Sequence, residues 1–475
     1  MEPDTQWRIE RAEHFAVIVD AEQYFRIARR AMLKAQRRIM LVGWDFDARI
    51  VLDHDCARDE GPRTVGDFIY WLVERNPDLE VYLLRWDVGA IKALFRGTTI
   101  FTVLKWMRHP RIHTKLDGHH PTGASHHQKI VVIDDCLAFC GGIDMTSDRW
   151  DTRAHADDDP RRRTPAGRRY KPWHDATTAV CGPVASALGE MARERWRIAG
   201  GRAVDALDGV APCWPEGLDA DFHEIDVRIA RTIPAMAGQT TAHESEALFL
   251  AQIAAAKRHV YIESQYFASR RIAEAIARRL DEADGPEFVV VNPEHAQGWL
   301  EPVAMDTARA RLVEALRRRD RGGRFRLYHP YTAGGAPIYV HAKILIADDD
   351  VLRLGSSNMN NRSLRLDTEC DLAVEARDAA DSVRIVAIRD DLIAEHLDVS
   401  PERVAAAVAE RGSLIAAIEA LRGEGRSLRP YEIPDLNAVE TWLADHEVLD
   451  PEGPDEMFEA PSARGLFRRL RKPPA

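Results

Sequence analysis

His127-Gln-Lys-Ile-Val-Val-Ile-Asp134 and His341-Ala-Lys-Ile-Leu-Ile-Ala-Asp348 share one pattern: a histidine, a lysine two residues on, and an aspartate seven residues on. Each is followed by a glycine fourteen residues after its histidine (Gly141, Gly355) and by Asp144 or Asn358 seventeen after it, so one offset, 341 − 127 = 214, relates every pair. The run Ile130–Ile133 is β-branched throughout and reads as a strand. Residues two apart on a strand share a face, so His127 and Lys129 point one way, as do His341 and Lys343. Asp134 and Asp348 fall in the turn beyond.

Working outward, Ala35-Gln-Arg-Arg-Ile-Met-Leu-Val-Gly-Trp44 resembles Ala255-Ala-Lys-Arg-His-Val-Tyr-Ile-Glu-Ser264 at an offset of 255 − 35 = 220, so the repeats differ in loop length. Leu79–Leu84 and Phe288–Val291 read as further strands, each preceded by a helical pattern at Val65–Arg75 and Arg271–Glu282. Helices alternating with short apolar strands predict an α/β protein: two related α-β-α sandwich lobes packed as a pseudo-twofold catalytic unit. The expected boundaries are 1–210 for the first lobe, 211–399 for the second, and 400–475 for a helical appendage with a polar, basic tail. Residues 152–172 form a polar loop, and the Gly-, Pro- and Ala-rich stretch 200–222 reads as the connection between lobes. Ser400-Pro401 is a helix start, with serine as cap and proline at the first helical position.

Composition narrows the function. With 475 residues, 45% hydrophobic and 30% charged, the chain is globular and too long for one core. Its net charge of −11 argues against a dedicated nucleic-acid binder. Six scattered cysteines make a disulfide scaffold unexpected and a reducing compartment the default. No apolar run is long enough to span a bilayer, and residues 1–13 lack the apolar centre of a signal peptide. A cytoplasmic protein, peripheral at a membrane, is the expectation.

Two histidines and two lysines brought together by pairing related halves suit attack at phosphorus. A neutral imidazole is a nucleophile that splits one displacement into two. A protonated second imidazole gives its proton to the leaving alkoxide. Two ammonium groups stabilise the non-bridging oxygens, and Asn358 adds a neutral donor. The scheme expects neither a metal nor any other cofactor, and it requires opposite protonation of the two imidazoles.

The paired motifs resemble the HxKxxxxD signature of the phospholipase D superfamily, over roughly residues 15–375. Further matches are similar to the phospholipase D branch proper: Arg149-Trp-Asp-Thr-Arg-Ala-His155, Pro172-Trp-His-Asp175 with Gly182-Pro183 and Arg195-Trp196, Glu263-Ser-Gln-Tyr-Phe267, and Asn361-Arg-Ser363 with Glu369. The resemblance implies His127 as the nucleophile that forms a phosphohistidine, with His341 as general acid and then base. It implies Lys129, Lys343 and Asn358 as the phosphate-binding groups, and it groups Asp134 and Asp348 with the catalytic residues as members of the motif, in a structural or orienting role. Asp144, Ser356, His155, Trp173 and His174 are expected as supporting residues. Glu263 and Glu369 are each expected to accept a hydrogen bond from one catalytic imidazole.

The activity so implied is a phosphodiesterase or transphosphatidylase acting on phosphatidylcholine-like lipids, with water or an alcohol as acceptor and transient contact with a membrane surface. Cardiolipin or phosphatidylserine synthesis and a nuclease-type phosphodiesterase are the rivals. Other features have plainer readings. His119, His120 and His126 read as solvated loop histidines rather than metal ligands, and Cys136 and Cys140 as buried small side chains. Ile91–Met107 and Phe467–Lys472 mix apolar and basic residues, and each is weighed as a membrane-facing segment.

Overall fold

The computed structural model describes residues 5–57, 60–87, 102, 105–207, 214–236, 238–297 and 301–434. The first repeat contains β1 (Arg8–Val19), α1 (Ala21–Leu33), β2 (Arg38–Gly43), α2 (Val65–Arg75), β3 (Glu80–Trp86), β4 (Ile112–Asp117), β5 (Ile130–Ile133), β6 (Leu137–Gly141), β7 (Trp173–His174), β8 (Ala176–Cys181) and α3 (Pro183–Ile198). The second contains β9 (Phe222–Ile233), β10 (Ala242–His243), α4 (Glu244–Ala255), β11 (His259–Glu263), α5 (Arg270–Leu280), β12 (Glu287–Val291), α6 (Glu301–Arg319) and β13 (Phe325–Tyr331). It continues with β14 (Tyr339–Val340), β15 (Ile344–Ala347), β16 (Val351–Gly355), β17 (Glu369–Glu375) and α7 (Ala379–Leu397).

Both repeats share one sheet. From the antiparallel β1–β9 pair, the order is β8-β6-β5-β2-β3-β4 on one side and β17-β16-β15-β11-β12-β13 on the other. Corresponding strands therefore occupy corresponding places about a pseudo-twofold axis. The outer pairs β2–β3–β4 and β11–β12–β13 are parallel, and the inner ones antiparallel. Strand alternation divides the core. Ile130 and Val132 enter a core shared by both repeats under α3 and α7, with Leu188, Met191, Ile385 and Leu392. Val131 and Ile133 enter a second core with Phe25 and Phe68, and Leu345 enters a third with Phe249 and Ile276. Because β5 and β15 are buried on both faces, they read as unbroken apolar runs.

Beyond α7 come α8 (Pro401–Arg411), α9 (Leu414–Leu421) and β18 (Ser427–Pro430). β18 adds an antiparallel edge to β13, so the appendage is helical only in part. A four-residue strand ending in proline gives little periodic signal, and proline is tolerated there because an edge strand leaves one side unpaired. Pro401 does open α8, but Ser400 makes no side-chain cap. Of Ile91–Met107, only Thr102 and residues 105–107 are among the described residues, and Trp106 is buried. The tail from 435 onward lies outside them. No helix among the described residues is long and apolar enough to cross a membrane.

Candidate active site

The two motif histidines stand just before the related strands β5 and β15, and each is held by a backbone segment from the opposite repeat. The His341 amide donates to the His174 carbonyl at 2.7 Å, and β14 lies parallel to β7. The His127 amide donates to the Thr368 carbonyl at 3.0 Å. This exchange across the seam brings the imidazole centroids to 6.5 Å, with their planes inclined at 62°. A phosphorus with a ring nitrogen about 3 Å away on either side fits such a gap.

The carboxylates are exchanged in the same way. His127 Nδ1 lies 3.0 Å from both oxygens of Glu369 on β17 and 3.2 Å from the Ser356 carbonyl. His341 Nδ1 lies 2.7 Å from Asp175 Oδ2, at the entrance to β8. With Nδ1–H donating to these acceptors, Nε2 of each ring is free to react. Asp175 corrects the expectation placed on Glu263, whose oxygens lie on His174 Nε2 (2.7 Å), His396 Nε2 (3.0 Å) and the Tyr261 hydroxyl (2.6 Å) instead. The signal for Asp175 was present in the sequence. Asp175-Ala-Thr-Thr-Ala-Val180 aligns with Glu369-Cys-Asp-Leu-Ala-Val374, and β8 and β17 occupy equivalent places in the sheet. Glycine is required opposite: a Cβ on Gly142 would stand 2.1 Å from Asp175 Oδ1.

Burial, reinforced by Lys129 and Lys343, holds His127 well below the ordinary imidazole pKa. Burial, Lys343, Arg149 and Lys129 do the same to His341. The protein thus pushes both imidazoles the same way, where the chemistry needs them opposed, because both are buried and both feel Lys129 and Lys343. Burial raises Glu369 well above the usual carboxylate range. Asp175 is raised by burial too, with Lys343 pulling back.

Lys129 Nζ is 3.3 Å from Asp144 Oδ2 and donates to the His127 carbonyl at 2.9 Å. Asp144 also accepts from the Trp44 amide at 3.0 Å. Lys343 Nζ donates to the His341 carbonyl and lies 3.4 Å from Gln265 Oε1. Burial brings Lys343 down to about 7, against the pull of Asp175. Asn358 Nδ2 shares Gln265 Oε1 at 3.4 Å, and its own Oδ1 is buried without a partner. The Ser356 hydroxyl donates to Glu369. Gln265, which sequence reading did not single out, therefore joins the second lysine to Asn358.

The remaining expected residues stand behind this centre. Asp134 accepts from the amides of Gln36, Arg37 and Arg38 at 2.6, 2.8 and 2.6 Å. Asp348 does the same for Lys257, Arg258 and His259 at 2.8, 2.7 and 3.0 Å. Both motif aspartates pin the start of the neighbouring strand and do not face the imidazoles, so their grouping with the catalytic residues is corrected. A carboxylate at a turn is drawn to unpaired amide hydrogens before anything else. Trp173 stacks on Tyr339 at 4.5 Å and leans on His341 at 5.2 Å.

His155 and His174 are fully buried and joined through Glu395 Oε1, at 3.0 and 2.8 Å. Burial opposes the charge on His155, but Asp20, Asp151 and Glu395 outweigh it and lift the imidazole to about 9. Burial opposes His174 as well, and Glu263 with Glu395 raises it well above its ordinary value. Asp20, His155, His174 and Glu395, or His174, Glu263 and His396, are close enough together to surround a metal ion. His155 and His174 are both raised, which favours the protonated forms that balance these carboxylates, whereas burial lowers His396. His126 is not a solvated loop histidine: it is buried, 3.1 Å from Asp117, with Arg195 against its ring. Its neighbour His120 lies 3.0 Å from Asp87, and both belong to an ionic cluster beside the site.

Comparison with known proteins follows the same lines. A family model described as Phospholipase D matches residues 31–274, and one described as Cardiolipin synthase, PLD-like domain, matches residues 249–387. Phospholipase D A of Dictyostelium discoideum is 24% identical over 463 residues, covering 82% of this chain and 35% of the relative. Phospholipase D alpha 1 of Vigna unguiculata is 23% identical over 470 residues, covering 70% and 58%. The chain thus spans less than two thirds of these relatives. A phosphatidylserine synthase structure from Haemophilus influenzae Rd KW20 has the same fold, with a TM-score of 0.55 at 14% identity over 88% of this chain and 96% of that one. Matched by the phospholipase D model over more than half its length, and built as two repeats that exchange carboxylates about facing imidazoles, the chain belongs to the phospholipase D family.

Proposed function

We propose that the chain cleaves the distal phosphodiester of glycerophospholipids, phosphatidylcholine-like ones among them, by a two-step phosphatidyl transfer through His127. The observation that carries this reading is the facing imidazole pair, each ring backed by a carboxylate from the other repeat. His127 Nε2 attacks phosphorus, and the bond to the head-group oxygen breaks. His341 Nε2–H gives its proton to the departing alkoxide. Water or an alcohol then loses a proton to His341 and attacks phosphorus. The phosphorus–nitrogen bond breaks and His127 is restored, leaving phosphatidic acid or a new phosphatidyl ester.

Lys129, Lys343 and Asn358 take the non-bridging oxygens. A phosphodiester carries one negative charge, and its arrival between the lysines raises the His341 and Lys343 pKa values. The substrate itself thereby supplies the asymmetry that the protein groups alone lack. Lysine charge serves where a metal would otherwise be needed, and the substrate, a bilayer lipid, implies contact with a membrane surface.

The test is incubation with phosphatidylcholine and a primary alcohol in excess chelator, alongside single-stranded DNA. Choline release with formation of the phosphatidyl alcohol is expected. DNA cleavage alone, or strict dependence on a divalent ion, would overturn the reading. Synthesis of cardiolipin or phosphatidylserine by the same transfer is the second reading, favoured by the match of residues 249–387 to the cardiolipin synthase description. Product formed only with a phosphatidylglycerol or serine acceptor would select it.

A further inference from the structure

The charges lining the pocket nearly cancel. Lys129 is offset by Asp144 at 3.3 Å, and Lys343, already brought down to about 7, faces Asp175. Glu369 is held towards its neutral form by burial. One cation remains. Arg149 lies with its guanidinium carbon 4.2 Å from the centre of the Trp173 ring, the same indole that leans on His341. Among the described residues its Nη1 donates to the neighbouring Asp148 carbonyl at 3.3 Å, and its Nε is buried with no partner. It forms no ion pair among the described residues. A buried guanidinium donor left unsatisfied is costly, and guanidinium prefers bidentate contact with phosphate oxygens.

We infer that Arg149 is a further substrate-binding cation of the site, one that adds positive charge beside His341 and receives a phosphate oxygen of the bound ester. This rests on the phosphodiester chemistry proposed above. Its place over the Trp173 ring keeps the guanidinium close to His341. That cation also acts on the proton inventory: the charged groups around His341 are Asp175, Lys343, Lys129, His127 and Arg149, and Arg149 is one of those that depress it.

The test compares wild type with Arg149→Met, which keeps an apolar stem over Trp173 without charge, and Arg149→Lys, which keeps the charge without the fork. Three quantities are read: kcat/KM on phosphatidylcholine, the inhibition constant of inorganic phosphate, and the pH–rate profile. For Arg149→Met, the phosphate inhibition constant should rise about tenfold to a hundredfold, as for loss of a charged hydrogen bond. The limb of the profile due to His341 should move to higher pH, and Arg149→Lys should recover part of both effects. Unchanged phosphate inhibition and an unmoved limb in a folded, active Arg149→Met protein would overturn the inference. So would equal losses in both variants with no movement of the limb, which is the mark of a purely structural stack. An inactive wild type would instead strike at the phosphodiesterase reading.

Discussion

Replacing Asp175 with asparagine tests the crossed carboxylates most directly. The change keeps the side chain's shape but removes the negative charge that lies 2.7 Å from His341 Nδ1. Both side chains are buried, so water cannot take over its role. When His341 carries the proton for the leaving group, its imidazolium in the variant faces Lys343, Lys129 and Arg149 without its carboxylate partner. Breaking a buried ion pair from one side costs about 3–5 kcal/mol, which at 1.36 kcal/mol per decade is about 10²- to 10⁴-fold in kcat. The loss should fall on the step that protonates the leaving group.

Initial rates should therefore be measured on phosphatidylcholine and on a phosphatidyl p-nitrophenol, whose leaving group needs no proton. The defect should be large on the first and much smaller on the second. Equal defects on both substrates, or a kcat on phosphatidylcholine within about threefold of wild type, would refute the assignment of Asp175 as the partner of the acid.

Three further outcomes are expected. His127→Ala should abolish turnover, whereas His341→Ala should still form a trappable phosphoenzyme with the p-nitrophenyl ester; full activity in the His127 variant would remove the nucleophile from the scheme. Asp134→Ala strips the acceptor from three amides at the head of β2 and should cost about 3 kcal/mol in urea unfolding, at about 1 kcal/mol per bond, while the folded fraction keeps its kcat. His155 is held at about 9 against an ordinary imidazole value near 6.5. It binds a proton more tightly folded than unfolded, so its stabilisation is complete below its unfolded pKa and fades as pH rises through about 9. The urea midpoint should fall across that interval, and should fall less in His155→Gln.

The parts of this protein legible from sequence are those with a local period. The four residues Ile130–Ile133, the spacing of histidine and lysine, and the 214-residue offset each report a strand, a shared face and a repeat, because strand geometry acts over two or three residues. Val65–Arg75 is legible as a helix for the same reason. What could not be read locally was which carboxylate meets which imidazole. Glu263 sits at the end of β11 and Asp175 at the entrance to β8, and only the pseudo-twofold pairing decides that His341 turns towards the second. The same applies to Gln265 and Arg149, whose roles depend on neighbours from another part of the chain. β18 stayed hidden because an edge strand of four residues carries too little pattern.

The seam between the repeats has a consequence for how the molecule can change. The seven residue pairs that join β1 to β9 could slide along each other only in steps of two residues, about 6.6 Å, if side chains are to keep their faces. That step is as large as the whole spacing between the catalytic rings. Insertions in the loop 152–172 or at the outer strands leave the meeting of the halves untouched, but one slipped pair at Phe15–Phe222 would carry each ring past its mate. Tolerance to sequence drift should thus be graded by distance from this central ladder rather than by distance from the reacting atoms, and separately produced halves should regain turnover only when that ladder re-forms in register.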